Sequence, residues 1–78
     1  MNAFIFINTD MGKLWKVADE ILKIKRIKIS HAVTGQYDVI AYAEFLNIRE
    51  LSNMINQIQQ IEGVNRTTTA IAMAPRLA

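Results

Sequence analysis

Apolar and polar residues follow distinct rhythms along this chain, and each change of rhythm marks an element. Residues 3–7 (AFIFI) form an unbroken β-prone run bounded by Asn8, Thr9 and Asp10, which predicts a buried strand. Leu14, Val17, Ala18, Ile21 and Ile24 then recur at helical spacing, with Lys13, Lys16, Asp19, Glu20 and Lys23 between them. That pattern predicts an amphipathic helix with a solvated charged face, and Asp10 is placed to cap its start. Ile27, Ile29, His31 and Val33 alternate with Lys28, Ser30, Ala32 and Thr34, the period of a strand. Gly35-Gln36 fits a two-residue hairpin loop with glycine first, the type II′ preference. Residues 39–45 continue as the returning strand.

Asn47 followed by Glu50 resembles a capping box, with asparagine in place of serine or threonine. Behind it Ile48, Leu51, Ile55, Ile58 and Ile61 form the stripe of a second helix, and Gly63 stands where a left-handed C′ residue would end it. Residues 64–73 (VNRTTTAIAM) predict a last strand rich in β-branched residues, which Pro75 stops. The order is βαββαβ, two halves joined by a hairpin. Ile24-Lys25-Arg26-Ile27 in one half rhymes with Ile61-Glu62-Gly63-Val64 in the other. Right-handed crossovers make this an α+β, ferredoxin-like fold, with a four-stranded antiparallel sheet and both helices on one face. Residues 1–78 are expected to form a single domain.

An open sheet face that met water would alternate cleanly between apolar and polar residues. Here the first strand is apolar on both sides, Phe4 and Phe6 on one and Ala3, Ile5 and Ile7 on the other. The third strand sets Val39, Ala41, Ala43 and Phe45 against Ile40 and Tyr42. In a chain of 78 residues that is 51% hydrophobic, something must cover the second face. A second copy does so most economically, which predicts a sheet-to-sheet homodimer.

Composition removes several classes of chemistry. There is no cysteine, so disulfides, thiolate metal sites and cysteine nucleophiles are excluded, and the single histidine, His31, argues against a transition-metal centre. His31 is expected to be half-buried on its strand, without catalytic duty. No Ser-His-Asp constellation and no glycine-rich phosphate loop is present. Hence no cofactor is implied. The opening apolar run lacks a basic flank, and no stretch nears the roughly 18 apolar residues that span a bilayer. A soluble, cytoplasmic protein without a membrane partner is expected. Net charge is only +2. Lys23, Lys25, Arg26 and Lys28 cluster where the first helix ends, a place where cations complement the macrodipole and stay solvated. The third strand (DVIAYAEF) lacks the basic-glycine-aromatic pattern that stacks RNA bases. Trp15 falls off the helical stripe, at a packing edge or an intersubunit contact.

Candidate binding chemistry gathers in the hairpin, VTGQYDVI. Gly35 makes the turn, but Tyr37 and Asp38 place a phenol and a carboxylate at one end of the sheet. Aspartate is disfavoured in strands, so Asp38 needs a partner, either a backbone amide or a ligand cation. Thr67, Thr68 and Thr69 add a run of hydroxyls at the start of the last strand.

The stretch Val33-Thr34-Gly35-Gln36-Tyr37-Asp38-Val39-Ile40, with Ile61-Glu62-Gly63-Val64-Asn65-Arg66-Thr67-Thr68-Thr69 after one helix, resembles the C-terminal effector domain of Lrp/AsnC-type regulators, the RAM domain. The resemblance runs from the first strand to Met73. It implies dimers formed through the sheets, larger rings of dimers, and small effectors, typically amino acids, bound between dimers. Gly35, Tyr37 and Asp38 match the effector-loop motif, and Thr34, Thr67 and Thr69 complete the candidate effector-binding set. Asp38 would pair with an α-ammonium group, Gly35 and nearby amides would meet the carboxylate, and Tyr37 would shape the pocket.

Two departures from the family pattern stand out. Family members usually carry a helix-turn-helix before this domain, for which the chain has no residues. Lys25-Arg26 also replaces the glycine or Pro-Gly that usually ends the first helix. The expected function is a non-enzymatic, amino-acid-binding module acting in transcription regulation or metabolite sensing through oligomer assembly. It would not bind DNA directly, and a helix-turn-helix-bearing relative is an expected partner. The alternatives are a dimeric ferredoxin-like enzyme, a cofactor-free oxygenase or isomerase using His31 and Tyr42 in a cleft between sheet and helices, or an RNA-binding or scaffolding module.

Overall fold

The computed structural model describes residues 1–78. Its elements are β1 (Asn2–Thr9), α1 (Leu14–Leu22), β2 (Ile27–Ala32), β3 (Val39–Glu44), α2 (Ile48–Gln59) and β4 (Val64–Ile71). One antiparallel sheet, ordered β2-β3-β1-β4, holds all four strands, so each helical crossover passes over one strand. This is the βαββαβ ferredoxin-like arrangement. Ala3, Ile5 and Ile7 of β1 and Val39, Ala41 and Ala43 of β3 are fully buried beneath the helices. Val17, Ala18 and Ile21 of α1 and Leu51, Met54 and Ile58 of α2 close the core over them. Burying such side chains stabilises by about 1.5–3 kcal/mol each for the larger ones, which is what fixes the register.

The α2 stripe departs from the sequence reading at three residues. Met54 takes the central buried position, Ile55 is half-buried, and Ile48 is largely exposed at the helix start. The capping box is present in modified form. Glu50 N donates to Asn47 Oδ1 at 2.9 Å, and the Glu50 carboxylate accepts from the amide of Leu46 at 2.7 Å.

Asp10 does not cap α1. A turn at Met11-Gly12 intervenes, the helix starts at Leu14 behind Lys13, and no side chain caps it. Asp10 Oδ1 instead accepts from Asn65 Nδ2 at 3.0 Å, tying the end of β1 to the start of β4.

The rhyme between the halves is structural. Ile27 N donates to Ile24 O, and Val64 N donates to Ile61 O, so each helix is followed by the same four-residue turn. Its third residue has positive φ in both copies, Arg26 at 80° and Gly63 at 99°. Arg26 therefore occupies the left-handed position itself. Gly63 is not a C′ cap, since α2 ends at Gln59, but the turn residue that leads into β4. A Cβ there would sit 2.7 Å from Lys13 Cβ, so β4 and α1 approach only because the residue is glycine.

A bulge corrects the reading of β2. Ile27 pairs with Ala43, but Ile29 pairs with Tyr42, so the register shifts between them. Ile27 lies on the core face, while Ile29 and His31 are carried to the open face and exposed. His31 is thus not half-buried. Ser30 turns inward in their place, and its hydroxyl donates to Ala18 O at 2.9 Å.

Candidate functional site

The hairpin is longer than two residues. β2 ends at Ala32 opposite Val39, and Val33 N donates to Asp38 O, which leaves residues 34–37 as the loop. Gly35, at φ 108°, makes the reversal as expected. Below the loop the β1–β3 ladder stops at Ile7 and Val39. Asp38 extends it by other means: its amide donates to Ile7 O at 2.9 Å, and its carboxylate accepts from Thr9 N at 2.7 Å and Thr9 Oγ1 at 3.3 Å. The partner that Asp38 requires is a backbone amide.

With β3 starting only at Val39, the open face of β1 and β4 lacks a neighbour at this end. The loop tip folds toward it. Tyr37 packs on Phe6 with ring centroids 5.0 Å apart, and Asn8 Nδ2 donates to Gln36 O at 3.0 Å. The result is a hollow of about 380 Å³ lined by Asn8, Gln36, Tyr37, Asn65, Arg66 and Thr68, with Tyr37 its one hydrophobic side chain. Arg66 joins none of the three ion pairs in the molecule, and no carboxylate lines the hollow.

Of the six residues singled out in the sequence, Tyr37 lines this hollow. Thr34 and Gly35 are exposed in the loop beside it, and Asp38 braces it from behind. Thr67 and Thr69 are not brought there. They pair with Ile7 and Ile5, whose side chains face the helices, and Thr67 Oγ1 accepts from Gln59 Nε2 of α2 at 3.0 Å. Thr68 and Arg66, opposite Phe6 and Asn8, share the open face. The strand period carried that signal: parity along β4 separates Thr68 from its neighbours, and parity along β1 puts Asn8 with Phe4 and Phe6.

A second hollow of about 240 Å³ opens at the other end of the sheet, lined by Met1, Asn2, Arg26, Glu44, Phe45 and Leu46. Its arginine, Arg26, pairs with Glu50 at 3.2 Å, and the Glu44 carboxylate lines the hollow as well. Of the expected solvated cation cluster, Lys23, Lys25 and Lys28 are exposed, Lys23 beside Glu20 at 3.4 Å, while Arg26 turns to Glu50. No residue of α1 or α2 lines either hollow. His31 and Tyr42 both face away from the helices, so the cleft that an enzymatic reading needs does not lie beside them. Trp15 is 70% exposed and is no packing edge.

Between the two hollows the open face is apolar. Phe4 packs on Tyr42 at 5.3 Å, the Tyr42 hydroxyl accepts from Asn2 Nδ2, and Ile29, Phe6 and Ile40 surround them. Phe4 and Ile29 remain 41% and 46% exposed. No helix of the chain is long and apolar enough to cross a membrane.

Comparison with known proteins places this architecture. Residues 2–76 match the family model described as the Lrp/AsnC ligand binding domain. The HTH-type transcriptional regulator FL11 of Pyrococcus furiosus is 35% identical over 71 residues, covering 91% of this chain and 47% of that protein. The chain thus spans about half the length of the curated relatives it matches. The crystal structure of TTHA0845 from Thermus thermophilus superposes with a TM-score of 0.91 at 27% identity, over 99% of this chain and 98% of that one. A transcriptional regulator from Neisseria meningitidis, NMB0573, solved as its L-Met complex, shares the fold at a TM-score of 0.83 and 18% identity, over 94% of this chain and 49% of that one. The family model covers nearly every residue described above, and the chain belongs to the Lrp/AsnC ligand-binding domain family.

Proposed function

We propose that this chain is a non-enzymatic effector module, which takes a small carboxylate such as an amino acid into the Arg66 hollow and acts on transcription through its state of assembly. The observation that carries this reading is the position of Arg66. An unpaired guanidinium in a polar hollow is a ready partner for a carboxylate, with fork geometry that permits two parallel hydrogen bonds. Tyr37 forms a wall of the site, Gly35 and Asp38 hold the loop in shape, and Thr67 and Thr69 brace β4 from the helix side. The L-Met complex of the Neisseria regulator and the regulator names among the relatives agree with this assignment.

The apolar open face supplies the assembly. A second copy covers Phe4, Tyr42, Ile40 and Ile29, dimers join into larger rings, and a helix-turn-helix-bearing relative is the route to DNA. The chain's own helices both pack on the sheet, and its net charge of +2 offers little counterion release on duplex DNA.

Thermal unfolding in the presence of each of the twenty amino acids tests the reading. A ligand at 100 times its dissociation constant adds roughly 2.7 kcal/mol of stability, a shift that is large for so small a domain. A panel in which no amino acid raises the melting temperature overturns it.

A further inference from the structure

The open face of β1 reads alike in both directions: Asn8, Phe6, Phe4 and Asn2 point there in turn, two aromatic rings between two amides. Charge breaks that symmetry. Arg66 of β4 pairs with Asn8 and Glu44 of β3 pairs with Asn2, so the two stand at opposite ends of the face, about 20 Å apart along the strands. Both are exposed, and neither joins any of the three ion pairs in the molecule. Arg66 is the one charged residue lining the first hollow. The second is lined by Glu44 and by Arg26, which Glu50 already holds. Asp10 and Asp38 keep their charges near the Arg66 end, but they turn to Asn65 and Thr9 and line neither hollow.

A second copy meets this face in one of two senses. A two-fold axis along the strands, between β3 and β1, keeps like ends together. It sets Glu44 beside the partner's Glu44 and leaves Arg66 with no counter-charge, an arrangement that repels. An axis across the strands reverses them. Phe4 then lies over the partner's Phe6, Asn2 lies over the partner's Asn8, and each Glu44 comes to the Arg66 end of the other copy. Packed sheets stand about 10 Å apart, a gap that arginine and glutamate side chains span together.

We propose that two copies pair head to tail across their open faces, so that the partner's Glu44 closes the mouth of the Arg66 hollow and completes it as a site for both charges of an amino acid. Arg66 takes the carboxylate and the partner's Glu44 takes the ammonium. This rests on the reading that a second copy covers the open face and that the hollow holds the effector. It sets the ligand within a pair of copies, not between pairs. The second hollow, which then lies over the first, brings the apolar side chains of Met1, Phe45 and Leu46 to receive an apolar tail.

Sedimentation equilibrium on the intact chain tests the pairing. Arg66→Glu and Glu44→Arg should each raise the dimer dissociation constant by about tenfold or more, because the two-fold loses two exposed ion pairs at once and sets like charges in their place. The double variant should return to within about threefold of the wild type, and circular dichroism verifies each fold. A double variant as weak as the single ones overturns head-to-tail pairing while sheet pairing stands. A monomeric wild type removes the pairing of sheets itself. Calorimetry with L-methionine and 4-methylthiobutanoate, which lacks the ammonium, tests the completed site. The wild type should favour L-methionine by about tenfold or more, and Glu44→Gln should bring the two within about threefold. An unchanged preference in Glu44→Gln, or a wild type that binds neither or both alike, overturns the completed site, and the panel of twenty amino acids decides separately whether the chain binds an effector at all.

Discussion

The carboxylate of Asp38 lies 2.7 Å from the backbone nitrogen of Thr9, and it accepts the Thr9 hydroxyl as well. The contact lies just beyond Ile7 and Val39, where the β1–β3 ladder ends. This contact joins the hairpin to the end of β1 and fixes the loop that carries Gln36 and Tyr37 over the hollow. Asp38 therefore holds the loop against β1.

Asp38→Asn keeps the shape and removes the charge. The charge-assisted bond to Thr9 is weakened, so stability should fall by about 1 kcal/mol in thermal or urea unfolding. Effector affinity measured by calorimetry should change by less than about threefold. The opposite pairing, unchanged stability with affinity lowered about ten- to a hundredfold, would return Asp38 to direct contact with a ligand ammonium.

The apolar open face makes a second expectation. Phe4 is 41% exposed and central on that face, so Phe4→Lys places a charge where a second copy would pack without disturbing the helix-side core. Light scattering on the wild type should give at least about twice the 8.9 kDa chain mass, and the variant should fall toward the single-chain value. A wild-type chain that stays monomeric at micromolar concentration would contradict the pairing of sheets.

Much of this was legible in the sequence, and two of the misplacements have a common cause. Unbroken apolar runs, helical stripes and the Asn47–Glu50 pair gave element order, sheet topology and most of the core. Parity failed where a bulge intervened. The shift between Ile27 and Ile29 moves His31 to the other face, and the shift after Asn8 leaves Asn65 opposite no partner and free to reach Asp10. A bulge leaves no mark in a hydrophobic pattern. Of the candidate hollow, the sequence reading names Tyr37 and the loop glycine Gly35 beside it, but takes Thr67 and Thr69 over Arg66 and Thr68, although strand parity sets those pairs on opposite faces. Asp38 was correctly seen to need a partner, but sequence alone could not show that Thr9 supplies it.

Gly63 and Gly35 separate two costs of the same substitution. Both have positive φ, but a Cβ at Gly35 meets nothing within 4 Å, whereas at Gly63 it meets Lys13 at 2.7 Å and Val17 at 3.2 Å. Gly35→Ala should cost about 1 kcal/mol from backbone strain alone. Gly63→Ala should cost about 2–4 kcal/mol, because α1 must also shift away from the turn. Chemical denaturation of the two variants checks the order, and equal losses would show that α1 yields freely at this contact.

The effector site is tested most directly by an NMR titration of the backbone amides with L-glutamate. Shifts are expected to concentrate at Asn8, Gln36, Tyr37, Asn65, Arg66 and Thr68, with the amides around Arg26 and Leu46 unmoved, and to vanish in Arg66→Gln. Shifts centred instead on the Arg26 end of the sheet, or a response that survives Arg66→Gln unchanged, would contradict the assignment of the hollow.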